Sequence, residues 1–190
     1  MEVRMYELLI LGVLTSRDMS GYKLRCVLES ALVPRRPVSN GVMYPVLKKL
    51  AEQGFIVFVD QPNDPRGKRL AHITEAGMDR VQELMRQPVA EDGKRESIYR
   101  FKFRGMSAVD VATQERILAD YEASNQTDRN VYQEVWEHLQ DKLHQSDARH
   151  DALTWGCRSL ELGIAICDAK QAWIDQCRVE MSQGGKHGNN

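Results

Sequence analysis

No apolar run in this chain approaches the length of a membrane span, and its start lacks a signal peptide's cleavage region, so a cytoplasmic protein is expected. Cysteine is sparse. Cys26, Cys157, Cys167 and Cys177 form no CxxC pair, and the last three stand ten residues apart within one predicted helix. That spacing suits neither a tetrahedral metal site nor a disulfide within a straight helix, which leaves reduced, mostly packed thiols rather than redox or metal sensors. There is no glycine-rich phosphate loop, nucleophile elbow or metal-ligand cluster, so neither an enzyme nor a cofactor is expected. The histidines, His72, His138, His144, His150 and His187, are scattered. The six-residue steps from His138 to His150 turn the three side chains to different faces of any helix.

What is present is ordinary in total and uneven in placement. Of 190 residues, 42% are hydrophobic and 28% charged, and the formal net charge is −1. Residues 1–87 hold 13 Lys/Arg against 10 Asp/Glu, a surplus of +3, while residues 88–190 hold 13 against 17, or −4. A mildly basic first part joined to an acidic remainder is compatible with nucleic-acid binding at one end only.

The most informative stretch runs from Ser39 to Gly54. Ser39 is a good N-cap residue, and Gly54 suits a left-handed position after the helix end. Met43, Val46, Leu47 and Leu50 recur at helical spacing and are expected to pack inward. The opposite face offers Asn40, Tyr44 and Lys48 at steps of four, with Lys49 beside them, and no acid before Glu52. An amide, a phenol and two ammonium groups can hydrogen-bond base edges and phosphates. On an isolated amphipathic helix, the same face would simply be solvated.

The neighbouring segments favour the first reading. Residues 4–15 predict a short helix, apolar nearly all round, that other elements must cover. Ser20-Gly21 opens a second helix, Tyr22 to about Leu32, with Leu24, Val27, Leu28 and Leu32 inward and Lys23 and Arg25 outward. Val33-Pro34-Arg35-Arg36-Pro37-Val38 breaks the chain before the Ser39 helix, which completes a helix-turn-helix layout. Phe55 to Val59 reads as a strand, 60–67 as a turn on Pro, Asn, Asp and Gly, and 68–73 as the returning strand. Thr74 then caps a helix with Met78, Val81, Leu84 and Met85 expected inward. A hairpin directly after the recognition helix is a wing, and Arg66, Lys68 and Arg69 at its tip are placed to reach sugar-phosphate or the minor groove.

Tyr6-Glu7-Leu8-Leu9-Ile10-Leu11-Gly12-Val13-Leu14, Ser20-Gly21-Tyr22, Met43-Tyr44-Pro45-Val46-Leu47 with Leu50 and Gly54, and Ile73-Thr74-Glu75-Ala76-Gly77 stand in the order and at the spacing found in PadR-type transcriptional regulators. Over residues 4–87 the chain closely resembles that family. The resemblance implies a dimeric winged helix-turn-helix repressor or regulator with the Tyr-Pro helix in the major groove. The family commonly has an aromatic residue where this chain has Ala71, and it keeps a proline at the place of Pro45, well inside the predicted helix.

The expected architecture is mainly α: a winged helix-turn-helix DNA-binding domain over 1–87, a linker over 88–93, a long-helix dimerisation domain over 94–182 and a disordered tail over 183–190. Ser97 to Phe103 alternates like a strand, but the longer family members have a helix there. Ser107 with Asp110 is expected to cap a segment reaching about Leu143. Its apolar positions include Val111, Leu118, Tyr132 and Leu139, joined by Tyr121 and Val135, with a break possible in the polar middle, Ser124 to Asn130. From about Ala148 to Met181, Leu153, Leu160, Cys167, Ile174 and Met181 repeat every seven residues, with Cys157, Ile164 and Gln171 four after the first three. This is a heptad seam on a rod of roughly 50 Å. It is expected to pair with the Ser107 helix and with a second copy of the chain, the alternative being a hairpin within one chain. Glu161-Leu162-Gly163 and Trp173-Ile174 also resemble, more weakly, the helical domain of the longer PadR members.

The leading functional expectation is a homodimeric, sequence-specific DNA-binding regulator, a repressor of a palindromic double-stranded operator. Asn40, Tyr44 and Lys48 would face the groove, Lys49, Lys23 and Arg25 would meet phosphate, and Arg66, Lys68 and Arg69 would act from the wing. Some members of the family release DNA on binding phenolic or other aromatic acids. Trp155 and Arg158 would supply an aromatic wall and a carboxylate partner for such an effector, with His150 or Trp136 nearby. The competing reading places Trp155 in the core and Arg158 at the surface. A protein-interaction adaptor using the helical arm alone is the other function class. It leaves the basic wing unexplained, and a gel shift against the protein's own upstream region separates the two.

Overall fold

Three helices and a hairpin follow one another where the periodicities place them. In the computed structural model, which describes residues 2–60, 69–145 and 150–184, the order is α1 (Glu2–Leu14), α2 (Gly21–Ala31), α3 (Asn40–Glu52), β1 (Ile56–Asp60), β2 (Arg69–Ile73), α4 (Glu75–Arg86), α5 (Arg95–Arg104), a 3-10 turn (Met106–Ala108), α6 (Val111–Gln145) and α7 (His150–Gly184). Two compact units divide the chain, Met1–Ile117 and Leu118–Asn190, so α6 begins in the first and continues in the second.

The first unit is built round α1. Every residue from Met5 to Leu14 except Gly12 is a core apolar or buried side chain, because α2, α3, α4, α5 and β2 all pack on this helix. Glu7 is the exception to apolarity. It is buried, and Arg80 of α4 donates to it from Nε at 2.6 Å, so the desolvated carboxylate is paired. Ser20 caps α2, accepting from the Lys23 amide, and Leu24, Leu28 and Leu32 are buried. The connection to α3 is held from two sides. Buried Ser97 of α5 accepts from the Val33 amide at 2.9 Å, and Glu29 accepts from the Val38 amide at 3.0 Å.

β1 and β2 pair antiparallel from Ile56 opposite Ile73 to Asp60 opposite Arg69. The segment before α2 joins this hairpin: Met19 and Ala71 exchange both backbone hydrogen bonds. Ala71 is fully buried and Met19 is 5% exposed. Both side chains belong to the buried core of this unit. Helix-turn-helix and two-stranded wing together make this a winged-helix unit.

Several expectations need correction. Met78 is 38% exposed, and the inward position on α4 belongs to Gly77 with Val81, Leu84 and Met85. Ser107 lies in the 3-10 turn, and Asp110 alone caps α6. Its carboxylate accepts from the Thr113 amide at 2.7 Å, which holds its pKa below the ordinary value. Val111 and Val135 are exposed. α7 runs through Gly184, so Gln183 and Gly184 are helical, and the remainder of the expected tail, 185–190, lies outside the described residues, as does Ala148.

In the second unit α6 and α7 run antiparallel through one seam. α6 does not break at its polar middle. Asn125, 3% exposed, stands on the sevenfold positions between Leu118 and Tyr132 and donates from Nδ2 to the Cys167 carbonyl at 2.9 Å. Further along, Tyr132 packs so closely on Gly163 that a Cβ there would lie 2.9 Å from its ring. Cys157, Cys167 and Ile174 of the expected α7 seam are buried, and Leu153, Leu160, Ile164, Gln171 and Met181 are half-buried. Burial raises the Cys167 and Cys177 thiol pKa values, so these groups stay protonated.

Arg178 forks onto Glu122 with bonds of 2.9 and 2.7 Å, and Gln171 donates to the same carboxylate. The Arg178 hydrogen bonds, and then that from Gln171, hold Glu122 below the ordinary carboxylate value of 4.5. A depressed folded pKa means the contribution is full above the unfolded value and is lost as pH falls through the folded one. Acidification through that window, from the unfolded value down past the folded one, is therefore expected to lower the thermal stability of the parent more than that of Glu122→Gln. Circular-dichroism melts across the window would show equal acid sensitivity if the pair contributed nothing.

Candidate nucleic-acid interface

α3 divides cleanly into two faces. Met43, Val46, Leu47 and Leu50 are each 5% exposed or less, whereas Asn40, Tyr44, Lys48 and Lys49 are exposed, Tyr44 by 57%. Burial of the first set fixes the second toward solvent, since the two lie on opposite sides of a 3.6-residue period. Ser39 sits in the N-cap geometry, but its side chain makes no capping bond. Its carbonyl accepts from the Val42 and Met43 amides instead. The helix closes at Gly54, whose φ of 75° permits the Phe55 amide to reach the Leu50 carbonyl and its own amide to reach that of Ala51. Pro45 removes the bond to the Gly41 carbonyl, which is tolerated because Gly41 is exposed in the first turn and has no side chain to crowd the ring.

The start of α2 lies against this face. A Cβ at Gly21 would meet Tyr44 Cε1 at 3.6 Å, so the tyrosine ring rests beside the first residue of α2. Arg25 of α2 donates from Nη1 to Asn40 Oδ1 at 2.9 Å, lies 3.7 Å from Glu29 and stacks over the Tyr22 ring. Two of the expected contact residues therefore touch each other. Lys23 is exposed one position past Tyr22. Lys48 reaches Glu52 at 3.6 Å, but both side chains are well exposed and such a pair contributes little.

On the wing, Arg69 opens β2, 3.2 Å from Asp60 and over the Phe58 ring. Arg66 and Lys68 lie outside the described residues. Charge reversal, Arg69→Glu, is expected to weaken all DNA sequences alike and to reduce the slope of log affinity on log salt by about one. A loss confined to one sequence in salt-titrated binding assays would move Arg69 from backbone to base contact.

Arg35 and Arg36 sit in a non-helical connection between two prolines, where periodicity assigns no role. With Glu29 and Pro37 they line an open depression of about 370 Å³ immediately before α3. The signal was there in composition: an arginine pair in the turn of a helix-turn-helix is close to the recognition helix whatever its conformation.

The four expected effector residues are distributed along the second unit. Arg158 lies over the Trp155 ring at 4.8 Å, and Trp155 is 66% exposed, so it is not a core residue of the chain. Trp136 donates from Nε1 to Glu161 at 3.1 Å, and His150 is exposed at the start of α7. No helix of the described residues is long and apolar enough to cross a membrane.

Residues 10–83 match the family described as the transcriptional regulator PadR-like family. No curated protein matches the chain. Among solved structures, PadR of Bacillus subtilis in complex with operator DNA is 22% identical, over 88% of this chain and 98% of that one, with a TM-score of 0.42. The same protein in complex with p-coumaric acid is 22% identical over 90% and 99%, with a TM-score of 0.40. The virulence activator AphA of Vibrio cholerae is 21% identical over 94% and 98%, with a TM-score of 0.39. Likeness at these levels concerns the fold and assigns no ligand to this chain.

Proposed function

We propose, from the PadR-like domain over residues 10–83, that this chain is a cytoplasmic, sequence-specific DNA-binding regulator, a homodimeric repressor released from its operator by a small aromatic acid. The observation that supports it most directly is the α3 face. Its inner side is core, and its outer side presents an amide, a phenol and two lysines with no competing acid until the last residue of the helix. Residues 1–87 supply the DNA-contacting elements, with Asn40, Tyr44 and Lys48 toward bases, Lys49, Lys23 and Arg25 toward phosphate, and Arg66, Lys68 and Arg69 along the wing. The linker over 88–93 and the helices over 94–182 serve dimerisation.

A second copy has an apolar surface to meet. The heptad seam of α7 is taken by α6 of the same chain, but Trp155, Leu162, Ile166 and Trp173, spaced seven, four and seven, form a second stripe, 42–66% exposed, although the Trp173 ring also meets Tyr121 of α6 edge-on. Soluble proteins rarely leave a stripe of that size uncovered. One recognition helix reads only a few base pairs, and two held about one helical turn apart read a palindrome.

Selection from a random double-stranded library tests the reading. The expected result is an enriched motif with two inverted half-sites, bound by a protein of twice the chain mass. Absence of any enriched motif would remove sequence-specific binding, and a monomeric mass would remove the dimer. Calorimetry with hydroxycinnamates and benzoates tests the effector. No heat at millimolar concentration would eliminate that ligand class.

A further inference from the structure

We infer that Arg25 acts as a specificity-setting partner of Asn40, turning the amide into a donor-only reader that selects guanine and rejects adenine. The inference rests on the DNA-binding reading above. An asparagine ordinarily recognises adenine with both ends of its amide, Nδ2 donating to N7 and Oδ1 accepting from the N6 amine. Here the oxygen end is engaged by Arg25 Nη1 at 2.9 Å. Guanidinium has five N–H donors and no acceptor, so chemistry alone fixes which amide atom it touches. The amide cannot flip without placing donor against donor.

Arg25 is itself held in place. Tyr22 lies under its guanidinium, Glu29 is 3.7 Å from Nε, and the side chain is only 27% exposed. Asn40, by contrast, is exposed on the first turn of α3, and among the described residues its Nδ2 donates to no protein acceptor. The carbonyl oxygen keeps a second lone pair. An adenine amine approaching it would nevertheless meet the positive guanidinium alongside, donor facing cation. Guanine presents two adjacent acceptors, O6 and N7, which suit the exposed Nδ2 donors of Asn40 and place no amine against the guanidinium. Arg25 thus selects through Asn40 without needing to reach a base.

Library selection with the full-length parent and three variants tests this. Asn40→Ala identifies the position that Asn40 reads, as the one whose preference disappears. In the parent that position is expected to be guanine. Arg25→Met frees the oxygen and is expected to shift the preference toward adenine by about fivefold or more, the lower end of what one pair of base-edge hydrogen bonds discriminates. Arg25→Lys keeps a cationic donor and is expected to retain guanine. Adenine in the parent, or a preference unchanged in Arg25→Met, overturns the inference while leaving the regulator reading intact. Failure of the parent to enrich any motif overturns the regulator reading instead. Should Arg25→Met not fold, the base lost in Asn40→Ala decides alone.

Discussion

Gly77→Ala is expected to destabilise the first unit by about 3 kcal/mol, at the upper end of ordinary overpacking costs. A Cβ built on Gly77 falls 2.2 Å from the Phe55 carbonyl oxygen and 2.7 Å from Ile73 Cγ1. The carbonyl is backbone and cannot swing aside. It also accepts the Thr74 amide at 3.1 Å, and Thr74 accepts from the Gly77 amide through its hydroxyl at 3.1 Å while donating to the Gly54 carbonyl. Moving α4 away to admit the methyl would stretch these bonds together. It would also disturb the turn that ends the recognition helix, since Gly54 is the residue in the left-handed conformation there. Thermal melts of parent and variant should differ by roughly 10 °C. A variant within one degree of the parent would show that α4 shifts without cost. DNA affinity measured well below the melting temperature should fall less than stability does, because Gly77 is not on the exposed face of α3.

That close approach also shows where sequence reading reached its limit. The motif Ile73-Thr74-Glu75-Ala76-Gly77 was legible as a cap followed by a helix, and Thr74 caps as expected. Periodicity assigned Met78 inward because it counted apolarity and could not see that the tightest place beside β1 takes no side chain at all. The two faces of α3 were legible because four apolar residues at helical spacing leave only one solution. In α5, Ser97, Tyr99 and Phe101 alternate as in a strand and are all buried, yet the segment is helical. A short helix covered on more than one side loses the amphipathic signature that distinguishes it. The polar middle of α6 looked like a break because Asn125 interrupts the apolar sevenfold series. It is instead a buried polar residue at a seam position whose Nδ2 donates across the pair to the Cys167 carbonyl while its Oδ1 finds no partner among the described residues, and such a residue favours one register over its neighbours. The α7 heptads fixed which residues pack together, but a seam carries no record of whether its partner is in the same chain. The Arg25–Asn40 bond lies fifteen residues apart in sequence and depends on how two helices meet, which no local pattern encodes.

Tyr44→Ala is expected to lower affinity for the selected operator by about 100-fold, or ~3 kcal/mol, while leaving stability nearly unchanged. The two effects separate because of where the ring lies. Tyr44 is 57% exposed and only its edge rests beside Gly21, so truncation removes little burial and opens no cavity. On DNA the same side chain supplies what an aliphatic one cannot, an apolar face for a thymine methyl and a hydroxyl for a base edge or phosphate. It also lies between Asn40 and Lys48 at steps of four, so its loss breaks the face at its centre rather than its rim. In a two-fold dimer each copy loses the contact, and the losses combine on one operator. Tyr44→Phe divides the effect: retained affinity assigns the work to the ring, and a loss matching alanine assigns it to the hydroxyl. Footprinting at matched protein concentration reads both variants. Alanine binding within threefold of the parent would mean that α3 meets DNA, if at all, by another surface.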